Sequence, residues 1–379
     1  MYIVCAPDSF KGSMTAPQAA SAMAAAIRHV APSATVMELP IADGGEGFMD
    51  TVAAMIGARI VEVEVHDQRG LPHMAGFALA DSGPMPTAVL EGAATSGLDL
   101  VPAAERDIMS FDTRGLGELM TAAIDAGAKR LVIGIGGSST NDAGAGMLSA
   151  LGVRFQDQNE AELPPNPTGL ARLAAVDLTG LDPRLQTIRI EVACDVTNPL
   201  LGQTGAAAIY GPQKGASPEQ ITILDGILAH LLEVCGPQAR AAADIPGAGA
   251  AGGLGWALNH MLGAELRPGF ELVADLVDLD RYLAKADLVL GAEGSVDFQT
   301  PHGKAIARLC SHAEQAGVPV MIFGGRVDLD LAELPGRVEI FCITPDGQPL
   351  DEALRQGPQN LTEAVRQAIA PRACAHRGS

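Results

Sequence analysis

The 379-residue chain is poor in aromatic residues and in positive charge. Aromatic side chains make up 3% of the sequence and hydrophobic residues 47%, with 44 glycines and 25 prolines. This composition is typical of a globular protein with many short loops between strands and helices. Lys and Arg number 25 against 45 Asp and Glu, which gives a formal net charge of −20. Because such a charge repels nucleic-acid backbones and anionic membranes, we expect neither as a partner.

Cysteine and long hydrophobic runs are also scarce. The six cysteines form no Cys-x-x-Cys pair and have no metal-ligand spacing, which favours buried free thiols. No run reaches the roughly 18 apolar residues that a membrane helix needs. The N-terminus has the pattern of a strand rather than of a signal peptide, since it lacks a basic region and a long apolar core. We therefore expect a cytoplasmic protein.

Standard catalytic and nucleotide-binding motifs are mostly missing. Gly303-Lys304 lacks the Ser or Thr of a P-loop, and no G-x-S-x-G nucleophile motif occurs. Gly247 to Gly252 satisfies G-x-G-x-x-G, but the residues before it do not have the pattern of a strand. A dinucleotide fold needs that strand and an acid about 20 residues further on. An NAD-dependent dehydrogenase is therefore the weaker interpretation, and a tight phosphate-binding loop the stronger one.

Four stretches place glycines beside acids and amides directly after a short apolar run. They are Ile41 to Gly47, Gly134 to Gly146, Cys194 to Asn198 and Gly291 to Lys304. Such loops at the carboxyl ends of strands are where open α/β sheets bind ligands. Glycines let backbone N–H groups approach phosphate oxygens, and acids hold divalent metals. The pattern predicts nucleotide and phosphoryl chemistry in one shared crevice.

Strand and helix patterns alternate at both ends of the chain. This alternation predicts an α/β fold with largely parallel sheets. A chain of 379 residues is longer than one hydrophobic core usually grows, so we expect two domains. We predict a discontinuous Rossmann-like α/β domain from residues 1–66 plus 286–379, with a second α/β domain, 67–285, inserted into it.

Six blocks of the sequence are similar to the signature blocks of a known family. The blocks are Ala6 to Ser13, Ala42 to Gly47, Gly134 to Asp142, Ala193 to Leu200, Gly211 to Ala216 and Pro246 to Gly253. In this order they resemble the bacterial class I glycerate kinases over nearly the whole chain. The resemblance implies transfer of the γ-phosphate of ATP to D-glycerate, usually giving 2-phosphoglycerate, with Mg²⁺ as helper. It also implies two α/β domains with the active site in the cleft between them.

In this interpretation the candidate site residues divide by role. The catalytic candidates are Asp43 and Asp195, one to orient or deprotonate the glycerate hydroxyl and the other to bind Mg²⁺, together with Lys11 as a neutralising cation. The nucleotide-binding candidates are Ser9, Gly136, Gly137, Ser138, Thr140, Asn141, Gly247, Gly249, Gly252 and Lys304. The substrate-binding candidates are Lys11, Asn198 and Arg326, and the metal candidates are Asp195, Glu293 and Asp297. The alternative roles are turn stabilisation for the hydroxyls and helix capping for the acids, Asp142 in particular.

Two departures from the family pattern concern the substrate. Gly291 to Asp297 has Ser295 where the family usually has an arginine, and Pro164 to Leu170 replaces a glycine-rich stretch. A kinase for a related hydroxy acid and a non-catalytic ligand-binding relative therefore stay open as alternatives. The oligomeric state, a homo-oligomer included, is open as well.

Arg326 is a candidate to replace the missing arginine. It follows the next predicted strand after Ser295, and consecutive strands are often neighbours in a sheet. We hypothesise that Arg326 supplies from the neighbouring loop the charge that Ser295 lacks. The alternative is an exposed Arg326 that pairs with Asp328 or Asp330.

Overall fold

The computed structural model describes residues 1–41, 47–81, 85–297, 300, 305–328 and 334–375. The chain divides into two compact units. The terminal unit consists of Met1–Asp43 and Phe270–Ser379, and the central unit consists of Gly44–Gly269. Among the described residues, no helix combines the length and the apolar character needed to cross a bilayer.

The strands are numbered in chain order. They are β1 (Tyr2–Cys5), β2 (Thr35–Glu38), β3 (Arg59–His66), β4 (Pro72–Ala80), β5 (Thr87–Glu91), β6 (Arg130–Gly134), β7 (Arg154–Gln156), β8 (Ala175–Asp177), β9 (Arg189–Ala193), β10 (Glu265–Arg267), β11 (Leu288–Val296), β12 (Val320–Val327) and β13 (Val338–Cys342).

The α-helices are numbered in the same way. They are α1 (Ala16–Val30), α2 (Phe48–Ile56), α3 (Ala93–Ser96), α4 (Arg114–Asp125), α5 (Ala145–Ala150), α6 (Pro167–Leu170), α7 (Ala206–Tyr210), α8 (Pro218–Cys235), α9 (Pro237–Ala242), α10 (Leu254–Trp256), α11 (Gly269–Val277), α12 (Leu279–Leu283), α13 (Ala305–Gln315), α14 (Leu350–Arg355) and α15 (Gly357–Ala375). Short 3₁₀ turns occur at Leu98–Leu100, Ala103–Glu105, Pro183–Thr187, Pro212–Lys214 and Ala250–Gly253, and a π-helical turn spans Ala257–Met261.

The terminal unit contains a parallel sheet with strand order β13-β12-β11-β1-β2. Successive side chains of a strand point to opposite faces, so β1 contributes to two cores. Ile3 and Cys5 pack with α1 and α15 on one face, and Val4 packs with α12 and α13 on the other. Burial of both faces explains why the central strands β1 and β11 are almost continuously apolar, unlike the partly exposed edge strands β2 and β13.

The central unit contains a mixed sheet with strand order β10-β9-β6-β5-β4-β3. Strands β5, β6, β9 and β10 are parallel, whereas β4 pairs antiparallel with both β3 and β5. One face packs on a core formed with α4, α5 and α8, which includes Ile133 of β6 and Val192 of β9. A separate small hairpin joins β7 and β8. The predicted α/β class with largely parallel sheets is confirmed.

The division between the units differs from the predicted boundaries at 66/67 and 285/286. It lies at 43/44 and 269/270 instead. Strand β3 belongs to the central unit because all eight of its residues pair with β4. Its side chains alternate between exposed and partly or fully buried, as in an antiparallel edge strand. The alternation is visible in the sequence, but it does not identify the strand with which β3 pairs. At the other boundary, Phe270, Leu279 and Leu283 are buried in the core of the terminal unit.

Candidate functional site

The parallel strands of the central sheet end side by side. Gly134 at the end of β6 pairs in register with Glu91 of β5 and with Ala193 of β9, and Ala193 pairs with Arg267 of β10. The segments that follow β6 and β9 therefore leave the sheet at the same edge. The carboxyl edge of a parallel sheet is the usual ligand-binding edge in α/β folds. Two of the predicted site segments are thus brought together.

The segment between β6 and α5, which we call the 136–144 loop, is polar but buried. Five consecutive polar residues are each at most 7% exposed: Ser138, Ser139, Thr140, Asn141 and Asp142. The backbone N–H of Leu98 donates to the carbonyl oxygen of Gly137, and that of Ser139 donates to Ser96. Gly137 has a φ of 70°, a left-handed conformation that favours glycine. The loop is therefore held rigidly against its neighbours.

The buried Asp142 carboxylate ties this loop to the starts of two helices. It accepts hydrogen bonds from the backbone N–H (2.9 Å) and the hydroxyl (2.7 Å) of Thr113, just before α4. It also accepts from the backbone N–H groups of Gly144 (3.2 Å) and Gly146 (3.0 Å) at the start of α5. Burial raises the pKa of Asp142, and these hydrogen bonds oppose the shift. The capping role predicted for Asp142 is confirmed.

A buried cation lies against the same loop. Lys214 is 1% exposed, and its Nζ donates to Ser138 Oγ at 2.9 Å and to the carbonyl oxygen of Thr140 at 2.7 Å. Burial lowers the pKa of Lys214 to about 7, although the Asp142 carboxylate acts in the opposite direction. The sequence indicates Lys214 as one of several cations near glycine-rich or polar loops that could bind an anionic substrate, and it lies in Gly211 to Ala216, one of the six family-like blocks. Its burial and its contact with the 136–144 loop were not predicted.

The segment from Gly247 to Gly253, which we call the glycine loop, packs directly on the 136–144 loop. A Cβ at Gly252 would lie 2.1 Å from the carbonyl oxygen of Thr140, so only glycine permits this approach. The backbone N–H of Ala143 donates to the carbonyl oxygen of Gly252 at 3.0 Å. Gly247, Gly252 and Gly253 all have positive φ values. The loop follows α9 rather than a strand, which removes the structural basis for a dinucleotide motif.

The glycine loop also contacts the segment that follows β9. The backbone N–H of Gly249 donates to the carbonyl oxygen of Asn198 at 2.9 Å. A Cβ at Gly249 would lie 2.1 Å from the carbonyl oxygen of Pro199. The glycine loop therefore joins the segments after β6 and β9, so that three of the six family-like blocks form one cluster in the central unit.

The side chains of Asp195 and Asn198 both form hydrogen bonds within the central unit. The Asp195 carboxylate accepts from the backbone N–H of Gly269, at 3.2 and 3.3 Å for its two oxygens. Asn198 Nδ2 donates to the carbonyl oxygen of Thr204 at 2.8 Å, and Asn198 Oδ1 accepts from the Tyr210 hydroxyl at 2.7 Å. These bonds fix both side chains at the carboxyl edge of the sheet, near the glycine loop.

Several buried polar atoms around the 136–144 loop lack a hydrogen-bond partner among the described residues. They are Thr140 Oγ1, Asn141 Oδ1, Asn141 Nδ2 and Gln68 Oε1. Gln68 lies near the loop because its Nε2 donates to Gly97, which forms a bridge with Ser138. A buried polar group without a partner costs about 1–3 kcal/mol. The Asn141 amide, with both a donor and an acceptor unsatisfied, fits a site for a polar ligand.

The end of the Ala42 to Gly47 block also reaches this edge of the central sheet. The carboxylate of Glu91, at the end of β5, accepts from the backbone N–H groups of Gly47 (3.2 Å) and Met49 (3.3 Å) at the start of α2. Sequence reasoning did not identify Glu91, since a single acid at a strand end has no distinctive pattern. Asp43 in this block, like Lys304, lies outside the described residues.

Lys11 and Ser9 lie beside β11 in the terminal unit. The backbone N–H of Asp8 donates to the carbonyl oxygen of Ala292 at 2.7 Å, and that of Ser9 donates to Asp8 Oδ1 at 2.6 Å. Lys11 is exposed in the following turn. A Cβ at Gly294 would lie 3.9 Å from the Lys11 backbone nitrogen, which is ordinary contact distance. Lys11 is thus a neighbour of residues 293–295.

The metal candidates Glu293 and Asp297 are linked through Thr300. The Thr300 hydroxyl donates to Glu293 Oε1 at 2.9 Å and accepts from the backbone N–H of Asp297 at 3.1 Å. Ser295 Oγ donates to Asp297 Oδ2 at 3.1 Å. Within the described ranges, no three His, Cys, Asp or Glu side chains are grouped as a metal site would require.

Arg326 is the register partner of Ser295 on the adjacent strands β12 and β11. Its side chain is 77% exposed and forms an ion pair with Asp328 at 3.4 Å. This contact with Asp328 is the one expected if Arg326 is an exposed surface residue. The register places the Arg326 backbone beside that of Ser295, whereas the guanidinium itself is largely in solvent.

These features define the class of the protein: an α/β chain with buried glycine-rich loops at the carboxyl ends of the parallel strands of its central sheet. Residues 3–372 match the model of the glycerate kinase family. The chain is 42% identical to the glycerate kinase of Bacillus subtilis (strain 168), over 98% of this chain and 97% of that protein. It is 41% identical to the glycerate 2-kinase of Escherichia coli (strain K12), over 100% of both chains.

A solved structure gives the same result. The crystal structure of a candidate glycerate kinase 2 from Salmonella typhimurium LT2 superposes with a TM-score of 0.85 at 41% identity, covering 100% of this chain and 98% of that one. The chain belongs to the glycerate kinase family, and the resemblance inferred from the six blocks is confirmed.

Proposed function

We propose that the protein transfers the γ-phosphoryl group of ATP to D-glycerate, giving 2-phospho-D-glycerate, with Mg²⁺ as the metal ion. The observation that carries this proposal is the cluster of three family-like blocks, 134–142, 193–200 and 246–253, at the carboxyl edge of the central sheet. Family membership supports a kinase that uses a nucleotide. The name of the Escherichia coli relative supports the 2-phosphate product.

We assign the nucleotide phosphates to the 136–144 loop and the glycine loop. Gly136, Gly137 and the glycine loop let backbone N–H groups approach anionic oxygens, since no side chains shield them. The unsatisfied Asn141 amide and Thr140 hydroxyl support a polar ligand at this place. Ser9 and Lys304 of the terminal unit are further candidates for contacts to the nucleotide.

Phosphoryl transfer needs little covalent help from a protein, so positioning and charge neutralisation lower most of the barrier. In our proposal Asp43 or Asp195 orients the attacking hydroxyl of glycerate and takes up its proton. Lys11, Asn198 and Arg326 are the candidates for holding glycerate, whose carboxylate needs a cation in a chain with a net charge of −20.

The acids that do not act as the base are the proposed metal ligands. Carboxylate oxygens are the protein ligands that Mg²⁺ prefers, and Glu293 and Asp297 already lie close together through Thr300. Asp195 is the third candidate ligand. When bound, Mg²⁺ would neutralise charge on the phosphates.

A coupled assay for ADP tests the proposal. The purified protein is incubated with ATP and Mg²⁺, with and without D-glycerate, and the product is identified as the 2- or 3-phosphate by phosphorus NMR. ADP release that requires both D-glycerate and Mg²⁺ supports the proposal. Nucleotide binding without glycerate-dependent turnover would indicate a non-catalytic relative.

Ser295 favours one second candidate, a kinase for a related hydroxy acid. The family arginine at this place is replaced by a hydroxyl that bonds to Asp297, so local positive charge is lower. Measuring kcat/KM for D-glycerate and for other small 2- and 3-hydroxy acids decides whether D-glycerate or a related hydroxy acid is the preferred acceptor. Because the proposed donor is ATP, we also propose the cytoplasm as the place of action.

A further inference from the structure

Lys214 is a fully buried lysine, and the partners that its ammonium has among the described residues are neutral groups. Its acceptors are the Ser138 hydroxyl and the Thr140 carbonyl oxygen. No carboxylate lies within ion-pair distance of Lys214 in the part of the chain that the structure describes. A buried cation without an ionic partner is costly, and such groups are concentrated at functional sites.

The charges around Lys214 leave it short of a counter-ion. Asp142 is the acid that attracts it, but that carboxylate is already occupied by four hydrogen bonds from Thr113, Gly144 and Gly146. Arg106 lies on the other side, where its Nη1 donates to the carbonyl oxygen of Gln213 at 3.1 Å. Other titratable groups nearby are Asp112, beside Asp142, and Tyr210 of α7, the helix that packs on the Pro212–Lys214 turn.

We infer that Lys214 is a positioning residue for an anion bound at the 136–144 loop: its ammonium fixes Ser138 and Thr140, and with them Asn141, and supplies the positive charge behind them. The inference rests on the proposed function, in which the anion is a nucleotide phosphate. The carboxylate of glycerate has the same chemistry and is the other source to be tested.

The surroundings of Lys214 couple anion binding to proton uptake. Burial brings its pKa to about 7 in the ligand-free protein, so near neutral pH part of the population holds a neutral amine. A bound anion favours the charged form. Affinity is therefore highest below neutral pH and falls as the pH rises above it, because binding must then recharge the amine.

The test uses isothermal titration of the full chain with Mg²⁺–ATP in one arm and with D-glycerate in the other. The variants are Lys214→Met, which keeps the length but removes the charge, and Lys214→Arg, which keeps a charge that does not titrate. Lys129→Met, an exposed lysine of the same unit, is the matched control. Circular dichroism and thermal melting of each ligand-free variant establish that it is folded.

For the wild type we expect uptake of roughly half a proton on binding near neutral pH, seen as a difference in enthalpy between two buffers, and roughly tenfold weaker binding about two pH units higher. Near neutral pH, Lys214→Met should bind the anion at least roughly tenfold more weakly than the wild type does, and its binding should take up no proton. Lys214→Arg should bind well with a flat pH profile, and Lys129→Met should behave as the wild type.

If Lys214→Met loses affinity and proton uptake only in the Mg²⁺–ATP titration, the inference holds with the nucleotide as the anion. If it loses them only in the D-glycerate titration, the inference holds with the glycerate carboxylate as the anion. Wild-type affinity and proton uptake for Lys214→Met in both arms would overturn it. If Lys214→Met does not fold, Lys214→Arg decides, because persistence of the wild-type proton uptake would assign the titration to another group such as Asp112. Absence of glycerate-dependent ADP from a wild type that binds ATP would refute the proposed function alone.

Discussion

Gly252 lies against the carbonyl oxygen of Thr140 so closely that a Cβ at position 252 would be 2.1 Å from that oxygen and 2.6 Å from the Cα of Asn141. The hydrogen bond from Ala143 to the Gly252 carbonyl holds the two loops in this register. Backbone thus packs on backbone at the point where the unsatisfied Asn141 amide is presented. The position of the glycine loop should therefore determine the shape of the candidate site.

We predict that Gly252→Ala lowers both stability and activity. The new methyl group would meet backbone atoms that cannot move independently, at a φ of 69° that disfavours alanine. Together the clash and the strain should cost about 3 kcal/mol of unfolding free energy, and kcat/KM should fall in parallel as the loops separate. Urea denaturation and steady-state kinetics measure the two effects.

Gly263→Ala is the matched control for this change. Gly263 has the same φ of 69°, but no atom of the described residues lies within 4 Å of the position that a Cβ would take. It should therefore cost only the backbone strain, about 1 kcal/mol, and leave the kinetics unchanged. Equal effects of the two substitutions would show that the close approach of the loops is unimportant.

The sequence predicted local structure well where the signal is local. The residues from Pro218 to Val234 have a helical pattern in the sequence, and the observed helix α8 spans Pro218–Cys235, with a capping box between Ser217 and Gln220. The sequence predicted pairing between distant segments only for consecutive strands, as for β11 and β12, which carry Ser295 and Arg326. The alternation in β3 identified a strand, but its partner β4 places that strand in the other unit. Likewise the burial of Lys214 depends on contacts with residues about 75 positions away, for which the chain has no local pattern.

We predict that Asp195→Asn lowers kcat by about 10² or more while the fold is retained. The amide preserves volume and can still accept from the Gly269 backbone through its oxygen, so what is lost is the negative charge. Asp43→Asn should have a comparable effect if the two acids share the work of base and metal ligand. A coupled assay with both ATP and D-glycerate at saturating concentration gives kcat.

Asp225→Asn is the control that tests whether removing the charge of a carboxylate outside the candidate site also lowers kcat. Asp225 Oδ1 also accepts from a glycine backbone N–H, that of Gly202 at 2.9 Å, but it lies outside the candidate loops. Its kcat should stay within about twofold of the wild type. Near-normal turnover of both Asp43→Asn and Asp195→Asn would remove these residues from the chemistry.

We predict that Lys11→Ala raises KM for glycerate or for ATP by about tenfold. Lys11 is an exposed cation beside residues 293–295 in a strongly acidic chain, so an anionic ligand nearby would lose its counter-charge. Lys285→Ala, an exposed lysine elsewhere in the terminal unit, should leave KM unchanged. The same KM for both variants and the wild type would identify Lys11 as an ordinary surface residue.

We predict that His312 stabilises the terminal unit in a pH-dependent way. Its Nδ1 lies 2.8 Å from Asp280 Oδ1 and its Nε2 lies 3.1 Å from Glu271 Oε2, and only an imidazolium can donate to both. Burial lowers the pKa of His312, but the hydrogen bonds to the two carboxylates raise it by more than burial lowers it. The pKa of His312 is therefore above its ordinary value. The stabilisation is therefore complete below about pH 6.5 and is lost as the pH rises through the raised pKa.

The measurement is the difference in unfolding free energy between the wild type and His312→Asn. It should be about 1 kcal/mol near pH 6 and shrink towards pH 9. Lys214 and Asp112 also titrate near neutral pH, but they do so in both proteins, so the difference isolates His312. A difference that is constant across this range would contradict the prediction.

The last prediction concerns Arg326 and the serine that stands in place of the family arginine. Arg326 pairs with Asp328, but both side chains are more than 70% exposed, and an exposed pair of this kind is worth at most about 1 kcal/mol. A ligand phosphate or carboxylate could therefore displace Asp328 at little cost.

Arg326 and Ser295 are register partners on adjacent strands. We predict that Arg326→Ala lowers kcat/KM by about tenfold or more, because an arginine on developing phosphoryl charge can contribute far more than that. Ser295→Arg in the same background should restore part of the loss. Asp328→Ala is the control: it breaks the same ion pair but leaves the guanidinium available, so its kcat/KM should equal or exceed that of the wild type. Equal small effects of Arg326→Ala and Asp328→Ala, with no rescue by Ser295→Arg, would leave Arg326 as one half of a surface ion pair.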